Sequence, residues 1–355
     1  MTSMTETPPD VSLTIHAGVD THKHTHHAAI VDHLGRPLAD REFPATDAGY
    51  HQLLSWLAGT GIVASVGVEG TGSYGAGLTH VLHDAGLTVV EVDRPDRRSR
   101  RLHGKSDPLD AYAAATAALT GRATTVPKTH DGDVEAIRFL HNARRSVINS
   151  RAEAITTLKA MIVNAPETLR AALRGLSDTA LFAACAALRP APIAPGDLTA
   201  AVKTALRSLA RRIRALTVEG RALRRNIEIL VAHTAPRLLE RCGVGVETAA
   251  QLLITAGDNL DRITSEGAFA NLCGVAPIPA SSGKTTRYRL NRGGDRQANR
   301  ALHVIVVNRL KYDDRTRAYR DKRLAQHKSK RDIIRCLKRA VAREIFALLN
   351  PANPG

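Results

Sequence analysis

The sequence predicts an α/β domain followed by a mainly helical remainder, and three observations carry that prediction. Three short strand-like runs open the chain, after which strand and helix patterns alternate to about residue 119. From residue 131 onward, apolar residues recur at helical spacing. Acidic residues fall at the ends of two predicted strands and at the start of a predicted helix.

Residues 1–12 read as a disordered tail. TIHAGVD (14–20) and THHAAIVD (25–32) are strand-like, and HLGRP is a turn signal with Gly35 and Pro37. LADREFPAT (38–46) is a third strand. Asp47 is placed to cap a helix whose apolar positions Tyr50, Leu53, Leu54 and Leu57 follow an i, i+3, i+4, i+7 pattern. The Val-rich run IVASVGVEG (62–70) reads as a buried central strand. A helix over Gly75–Ala85, the strand LTVVEVD and an Ala-rich helix from Ser106 to about Leu119 follow. The order β-β-β-α-β-α-β-α, three antiparallel strands and then alternation, suggests the ribonuclease-H-like fold.

Residues 131–165 read as one long helix with Ile137, Leu140, Val147, Ile155, Leu158 and Ile162 on one stripe, broken by Pro166. A segment with Pro190, Pro192 and Pro195 precedes the next helix. There Val202, Leu206, Leu209, Ile213, Leu216, Gly220, Leu223, Ile227 and Leu230 alternate at spacings of four and three, a coiled-coil seam. Gly220 weakens one layer by about 1 kcal/mol relative to Ala. The seam suits either a dimer or a hairpin within one chain. After Pro236, the turn Cys242-Gly243-Val244-Gly245 precedes another helical run. Its glycines could present backbone N–H groups to a phosphate, as in helix-hairpin-helix modules, or form an ordinary helix–helix turn. A Gly/Pro/Ser segment (274–284) then leads into a basic block.

The charge is unevenly distributed. The 355 residues carry a formal net charge of +16, and 43% are hydrophobic, enough for real cores. Between Ser282 and Ile345, 20 Lys/Arg face six Asp/Glu, a net +14. A shorter basic run holds Arg94, Arg97, Arg98, Arg100, Arg101 and Lys105. Such blocks favour phosphate contacts, each releasing counterions from a nucleic acid. No run approaches the roughly 18 apolar residues of a membrane span, and the N-terminus lacks a signal-peptide layout. The cysteines at 185, 242, 273 and 336 have no paired spacing, which argues against a disulfide scaffold or a Cys-based zinc site. These features predict a bacterial cytoplasmic protein, nucleoid-associated, with a polyanionic partner.

Four acids form a candidate centre. Asp20 ends the first strand and Glu69 the fourth, while Asp107 and Asp110 share a helix face by i, i+3 spacing. Asp107 or Ser106 alone could be a mere cap, with Pro108 in the first turn. Carboxylate oxygens suit Mg²⁺ or Mn²⁺, and two such ions could clamp the attacking and leaving oxygens of a phosphoryl displacement. Gly70, Gly72, Gly75 and Gly77 would let a backbone approach Glu69. In the run His22, His24, His26, His27, strand alternation would place the first three on one face. Surface residues, near phosphate at most, are the favoured reading over a metal site there. Ser281 and Ser282 precede Gly283 and Lys284. Either they form a simple turn, or one is a nucleophile whose phosphoserine link permits rejoining, with Arg287, Arg289 and Arg292 stabilising the transferring phosphoryl.

Taken together, GVDTHK, VEGTGSYG, KSDPLDA, GVGVETAAQLL and FANLCGVAPIPASSGKTTRYRLNRGGDRQANRAL resemble the DEDD transposases of the insertion-sequence 110 family, to which Piv-type DNA invertases are related. The resemblance runs from about residue 14 to about 345 and is weakest in the middle helices. It departs from the family pattern at APIPASS and in the His-rich hairpin. It implies a RuvC-like DEDD domain (13–126), a helical coiled-coil region (127–235) and a transposase domain (236–348), with a tail at 349–355. It implies Asp20, Glu69, Asp107 and Asp110 as the catalytic, metal-binding set and Ser282, beside Ser281, as nucleophile. It also implies two Mg²⁺ or Mn²⁺ ions, a DNA substrate comprising element ends and target, a structured guide ("bridge") RNA, and a homo-oligomer, dimer or tetramer, in which acids and serine meet across subunits. Nucleic-acid contacts are expected at Arg97, Arg98, Arg101, Lys105, Gly243, Gly245, Lys284, Arg287, Arg289, Arg292 and Arg296. Three other readings compete: a RuvC-like endonuclease that uses water, an actin-like sugar kinase, which the C-terminal basic block disfavours, and a non-enzymatic nucleic-acid binder.

Overall fold

A computed structural model of the chain describes residues 13–92, 106–283 and 288–350. The expected tail at 1–12 and residues 351–355 lie outside that range. The chain divides into two compact units, Met1–His130 and Asp131–Gly355.

The first unit is built on a five-stranded sheet of β1 (Thr14–Thr21), β2 (Thr25–Asp32), β3 (Pro37–Pro44), β4 (Ile62–Glu69) and β5 (Val89–Val92). Their spatial order is β3-β2-β1-β4-β5. The first three are antiparallel, and β4 and β5 run parallel to β1. The centre belongs to β1, so the Val-rich run read as the central strand lies one place to its side. Asp32 shapes the β2–β3 turn: its buried Oδ1 accepts from the N–H of Leu34 and Arg36, and Gly35 takes a φ of +81°. Helix α1 (Asp47–Thr60) is capped by Thr46, whose hydroxyl accepts from Gly49 N–H, with Asp47 already in the first turn. The extended backbone at Thr46 explains why the cap falls one residue earlier than the expected Asp47.

The two faces of this sheet are covered differently. Ile15, Ala17, Val19, Val66 and Val68 form one core with Leu53 and Leu57 of α1 and with Leu78 and Leu82 of α2 (Ala76–Asp84). Gly18 and Gly67 belong to the alternate face. Against them lies α3 (Asp107–Leu119), whose buried residues are Asp110, Ala111, Ala114 and Ala115. A Cβ on Gly18 would stand 2.1 Å from the Ala115 nitrogen and 2.2 Å from the Ala111 oxygen, and one on Gly67 2.5 Å from the Ala114 oxygen. The helix backbone therefore rests directly on the strand backbone.

The second unit is helical. Helix α4 (Asp133–Val163) starts where Asp258 Oδ1 accepts from Val134 N–H. Two helices that the sequence pattern did not predict, α5 (Glu167–Leu173) and α6 (Asp178–Ala187), fill the stretch after Pro166. They are short and mostly Ala and Leu, so periodicity had few turns to register. Helix α7 (Leu198–Thr234) carries the heptad seam and lies antiparallel to α4. Ile227 and Val231 share a core with Val134 and Ile137, whereas Leu206, Ala210 and Ile213 share one with Ala154 and Leu158. Arg151 Nε donates to Thr217 and Arg144 Nε to the Gly220 carbonyl between them. The seam is thus occupied within the chain, the hairpin alternative.

Beyond it lie α8 (Pro236–Leu239), α9 (Val246–Ala256), a 3₁₀ turn (Leu260–Arg262), α10 (Glu266–Leu272), α11 (Arg296–Tyr312), α12 (Asp314–Ala325) and α13 (Lys330–Leu349). Their core includes Leu252, Phe269, Leu302, Ile305, Ile345 and Phe346 and is continuous with Ile137 and Ile227 of the long hairpin. A two-stranded ribbon, β6 (Pro277–Pro279) with β7 (Tyr288–Leu290), interrupts the helices where the sequence had suggested only a loop. All four cysteines are free thiols. No helix among the described residues is long and apolar enough to cross a membrane.

The backbone contact at α3 makes a stability prediction. Gly18→Ala is expected to destabilise the protein by about 3 kcal/mol or more, because the obstructing atoms are main chain and cannot rotate away. Gly59→Ala, where an added Cβ meets nothing within 4 Å, should be neutral or slightly stabilising. Denaturant midpoints of the two variants decide this.

Candidate active site

The acidic group is assembled by the sheet and α3. Val19 of β1 is in register with Val68 of β4, which sets Asp20 and Glu69 side by side at the carboxyl ends of adjacent parallel strands. Thr21 Oγ1 donates to the Glu69 carbonyl at 2.8 Å and ties the two strand ends together. A Cβ at Gly75 would lie 3.0 Å from that carbonyl, so the glycine-rich loop does pass close behind Glu69. Seating α3 on Gly18 and Gly67 brings its first turn, with Asp107 and Asp110, to this end of the sheet.

Among the described residues, one set of three donors converges: Asp20, His22 and Asp107, whose ligand atoms lie within 4.8 Å of one another. His22 Nε2 is 3.1 Å from Asp20 Oδ2 and 3.4 Å from Asp107 Oδ1. Asp20 and Asp110 are each only 6% exposed. Burial pushes the Asp20 carboxyl above the usual carboxylate range; His22 opposes the shift, and Asp110 and Asp107 reinforce it. Asp110 is close enough to act on the Asp20 carboxyl, and strand register roots Glu69 beside Asp20.

The histidine run does not behave as a single strand face. β1 stops at Thr21, and residues 22–24 form the turn. His26 is fully buried, stacked on Tyr50 at 5.5 Å, and His27 Nε2 meets Asp40 Oδ1 at 2.7 Å. His24 is exposed. Contact with the acids by His22 was missed in the sequence. The available signal was its position two residues after Asp20.

A separate group of the predicted residues lies in the second unit. Ser281 and Ser282 are exposed between β6 and β7, followed by Gly283 with a φ of +52°. The expected contacts Lys284 and Arg287 lie outside the described residues, as do Arg97, Arg98, Arg101 and Lys105. The root of the ribbon is pinned by side chains. Asn291 Nδ2 donates to the backbone and side-chain oxygens of Asn271, and Asn299 Nδ2 to the Gly274 carbonyl. Lys338 Nζ donates to Asn299 Oδ1 at 2.7 Å. Gly294 has no room for a Cβ, which would stand 2.3 Å from the Gly274 nitrogen. Asp295 caps α11 and accepts from Thr255 Oγ1, so NRGGDRQAN is first a folding motif.

Arg292, Arg296, Asn299 and Lys338 line a cleft of about 400 Å³ at this root. Burial, with Arg335 nearby, lowers the Lys338 ammonium from its ordinary value. Lys338 and Asn299 escaped the sequence analysis because nothing in a basic amphipathic helix distinguishes one lysine from its neighbours. Much of the basic block is neutralised internally: Arg309 pairs with Glu344, Arg335 with Asp332, Arg320 with Asp321, and Arg339 and Arg343 with Glu266. Arg289, Arg292, Arg296 and Lys338 have no acidic partner within 4.0 Å among the described residues.

The glycine turn has structural duties. Gly243 adopts a φ of +79° and packs against the Ile305 carbonyl, where a Cβ would come to 2.9 Å. Arg309 Nε donates to the neighbouring Cys242 carbonyl, and Gly245 N–H is taken by Thr248 Oγ1. A phosphate at Gly245 would have to displace that hydroxyl, and α8 is a single turn where a helix-hairpin-helix would have a full first helix.

Two family descriptions match the chain. A transposase model of the DEDD IS110 type covers residues 17–165, and one for transposases of the IS116/IS110/IS902 family covers residues 235–321. The chain is 28% identical to the uncharacterized 43.6 kDa protein of insertion element IS110 from Streptomyces coelicolor, across 94% of this chain and 93% of that one. It is 23% identical to the uncharacterized 42 kDa protein of insertion element IS900 from Mycobacterium paratuberculosis, across 94% and 95%.

Glu266 supplies a pH prediction for the helices beneath the ribbon. Hydrogen bonds from Arg339 and then Arg343 hold its carboxyl at about 2, against an ordinary value near 4.5. A carboxyl depressed on folding contributes stability that is complete above the ordinary value and lost as pH falls toward the folded one. Glu266→Gln should cost about 2 kcal/mol at neutral pH, and the deficit should shrink between about pH 4.5 and 2. Urea midpoints across that range test it.

Proposed function

The chain belongs to the IS110 family of insertion-element transposases, enzymes that cleave DNA and transfer its strands, and on that premise we propose that its chemistry is divided between the acids of the first unit and a serine of the second. The observation that carries this reading is the convergence of Asp20, His22 and Asp107 beside Asp110 and Glu69 at the carboxyl ends of parallel strands. The donor set fits a divalent cation. Asp20 is partly desolvated and lies close to Asp110 and Asp107, so a bound positive charge would relieve it. Asp20, Glu69, Asp107 and Asp110 would hold one or two Mg²⁺ or Mn²⁺ ions. Bound there, the ions would polarise the phosphoryl oxygens and stabilise charge on the attacking and leaving oxygens.

Ser282, or Ser281 beside it, supplies the nucleophile in this reading. Its Oγ gives up its proton and bonds to phosphorus. The bond from phosphorus to a sugar oxygen breaks, and that oxygen leaves as a hydroxyl with a proton. The phosphoserine diester retains the energy of the broken bond, so attack by another strand's hydroxyl can rejoin DNA and restore the serine. Exposure of both serines, on a ribbon whose root is pinned by Asn291 and Asn299, supports this. Arg289 and Arg292, with Lys284 and Arg287, would stabilise the transferring phosphoryl, and Arg296 and Lys338 would seat an adjacent phosphate. Arg97, Arg98, Arg101 and Lys105 would follow the DNA backbone. The reading further includes a structured bridge RNA that selects the DNA and a homo-oligomer in which acids and serine act on one phosphodiester. A concentrated excess of cations and the family resemblance support the RNA.

The alternative that shares this acidic centre is an endonuclease whose nucleophile is water. Ser282→Ala separates the two. Loss of both the covalent protein–DNA adduct and strand exchange is expected, and retained strand exchange would overturn the serine assignment, with Ser281→Ala made in parallel. Asp20→Asn should slow cleavage by about 100-fold or more and leave DNA affinity within a few-fold. Lys338→Gln, which keeps a donor to Asn299, should lower the slope of log affinity against log salt by about 0.9 on duplex DNA. RNA copurified with the full chain and sequenced should contain a discrete species from the flanks of its gene.

A further inference from the structure

We infer that His22 is a nitrogen donor to the cation held at the Asp20–Asp107 pair and that it biases this centre toward transition-metal ions over Mg²⁺. The inference rests on the metal reading above and names a ligand outside the four acids.

Placement carries the argument. His22 opens the β1–β2 turn, and its backbone N–H donates to the Thr25 carbonyl at 3.1 Å, which fixes where the side chain begins. The imidazole then projects toward the acids. Its Nε2 lies between carboxylates from two different elements, 3.1 Å from Asp20 at the end of β1 and 3.4 Å from Asp107 at the start of α3. Three donors from two remote segments, residues 20–22 and the start of α3, lie within 4.8 Å, an arrangement one ion could gather with small side-chain movements. The other histidines of the run are otherwise engaged: His26 is buried against Tyr50, His27 is bonded to Asp40, and the exposed His24 makes no side-chain contact with these acids.

The chemistry follows from the donor type. Mg²⁺ favours carboxylate and water oxygens and releases water reluctantly, whereas imidazole nitrogen is a better match for first-row transition ions. An aspartate–imidazole–aspartate set therefore gains more from Mn²⁺, Co²⁺ or Fe²⁺ than an all-carboxylate set would. A histidine that merely neutralised the two acids would make the opposite prediction, since a protonated imidazole competes with any cation.

Mn²⁺ is the probe, with the full chain at neutral pH. Pulsed electron paramagnetic resonance of the Mn²⁺-loaded protein should show nitrogen modulation. That signal should disappear in His22→Ala and His22→Gln and persist in His24→Ala. Mn²⁺ affinity should fall about 10-fold in His22→Ala, while Mg²⁺ affinity, measured by competition, should change far less. His22 is part-exposed in a turn, so these variants should fold, and unchanged circular dichroism checks that they do. Stoichiometric Mn²⁺ binding without nitrogen modulation would overturn the role of His22 and leave the carboxylate centre standing. Higher Mn²⁺ affinity in His22→Ala would overturn it as well. Mn²⁺ binding that Asp20→Asn does not weaken would overturn the metal reading itself.

Discussion

Everything in the first unit depends on the backbone contact between α3 and the two inner parallel strands. Gly18 and Gly67 remove the side chains that would otherwise hold helix and sheet apart, and Ala111, Ala114 and Ala115 do the same from the helix side. Helices ordinarily pack with side chains between them and their neighbours at spacings of 8–10 Å. Closer seating lowers the first turn of α3 onto the carboxyl ends of β1 and β4, so that Asp107 meets a side chain rooted next to Asp20. A single methyl at position 18 would push against main-chain atoms. The geometry of the acidic centre is therefore set by residues that carry no chemistry.

Electrostatics within that centre follow from the same contact. Carboxylates packed against a sheet lose water, and the shift at Asp20 registers that loss and the nearness of Asp110 and Asp107. The His22 imidazole sits between Asp20 and Asp107. Close, partly buried carboxylates are the kind of local conflict that functional sites keep and folding alone would remove.

The basic block of the second unit has two populations that a count of charges merges. One is architectural: Arg309 joins α11 to α13 through Glu344 and holds the Cys242 carbonyl, and Arg339 and Arg343 clamp Glu266 of α10. The other, including Arg289, Arg292, Arg296 and Lys338, gathers around the serine ribbon without acidic partners among the described residues. The positive charge left around the ribbon is therefore smaller and better placed than +14 implies. The long hairpin of α4 and α7 shares a core with these helices, so the heptad seam is part of the scaffold that supports the ribbon.

The sequence by itself determined the element order of the first unit, the strand-end positions of Asp20 and Glu69, the shared helix face of Asp107 and Asp110, and the motifs that carry the family resemblance. These are local properties: periodicity, turn chemistry and i, i+3 spacing are written within a few residues. Tertiary structure decided the rest. It packed the seam of α7 within the chain, because Ile137 and Leu158 of α4 supplied facing layers. It turned the Gly/Pro/Ser segment into a ribbon, because Asn291, Asn299 and Lys338 pin its root through hydrogen bonds that span 20, 25 and 39 residues. It also took His22 off the strand and into the acids while burying His26. Whether a histidine faces the acids or the core depends on where β1 ends and where α3 lies, and burial and distance of that kind arise only once remote segments share one space.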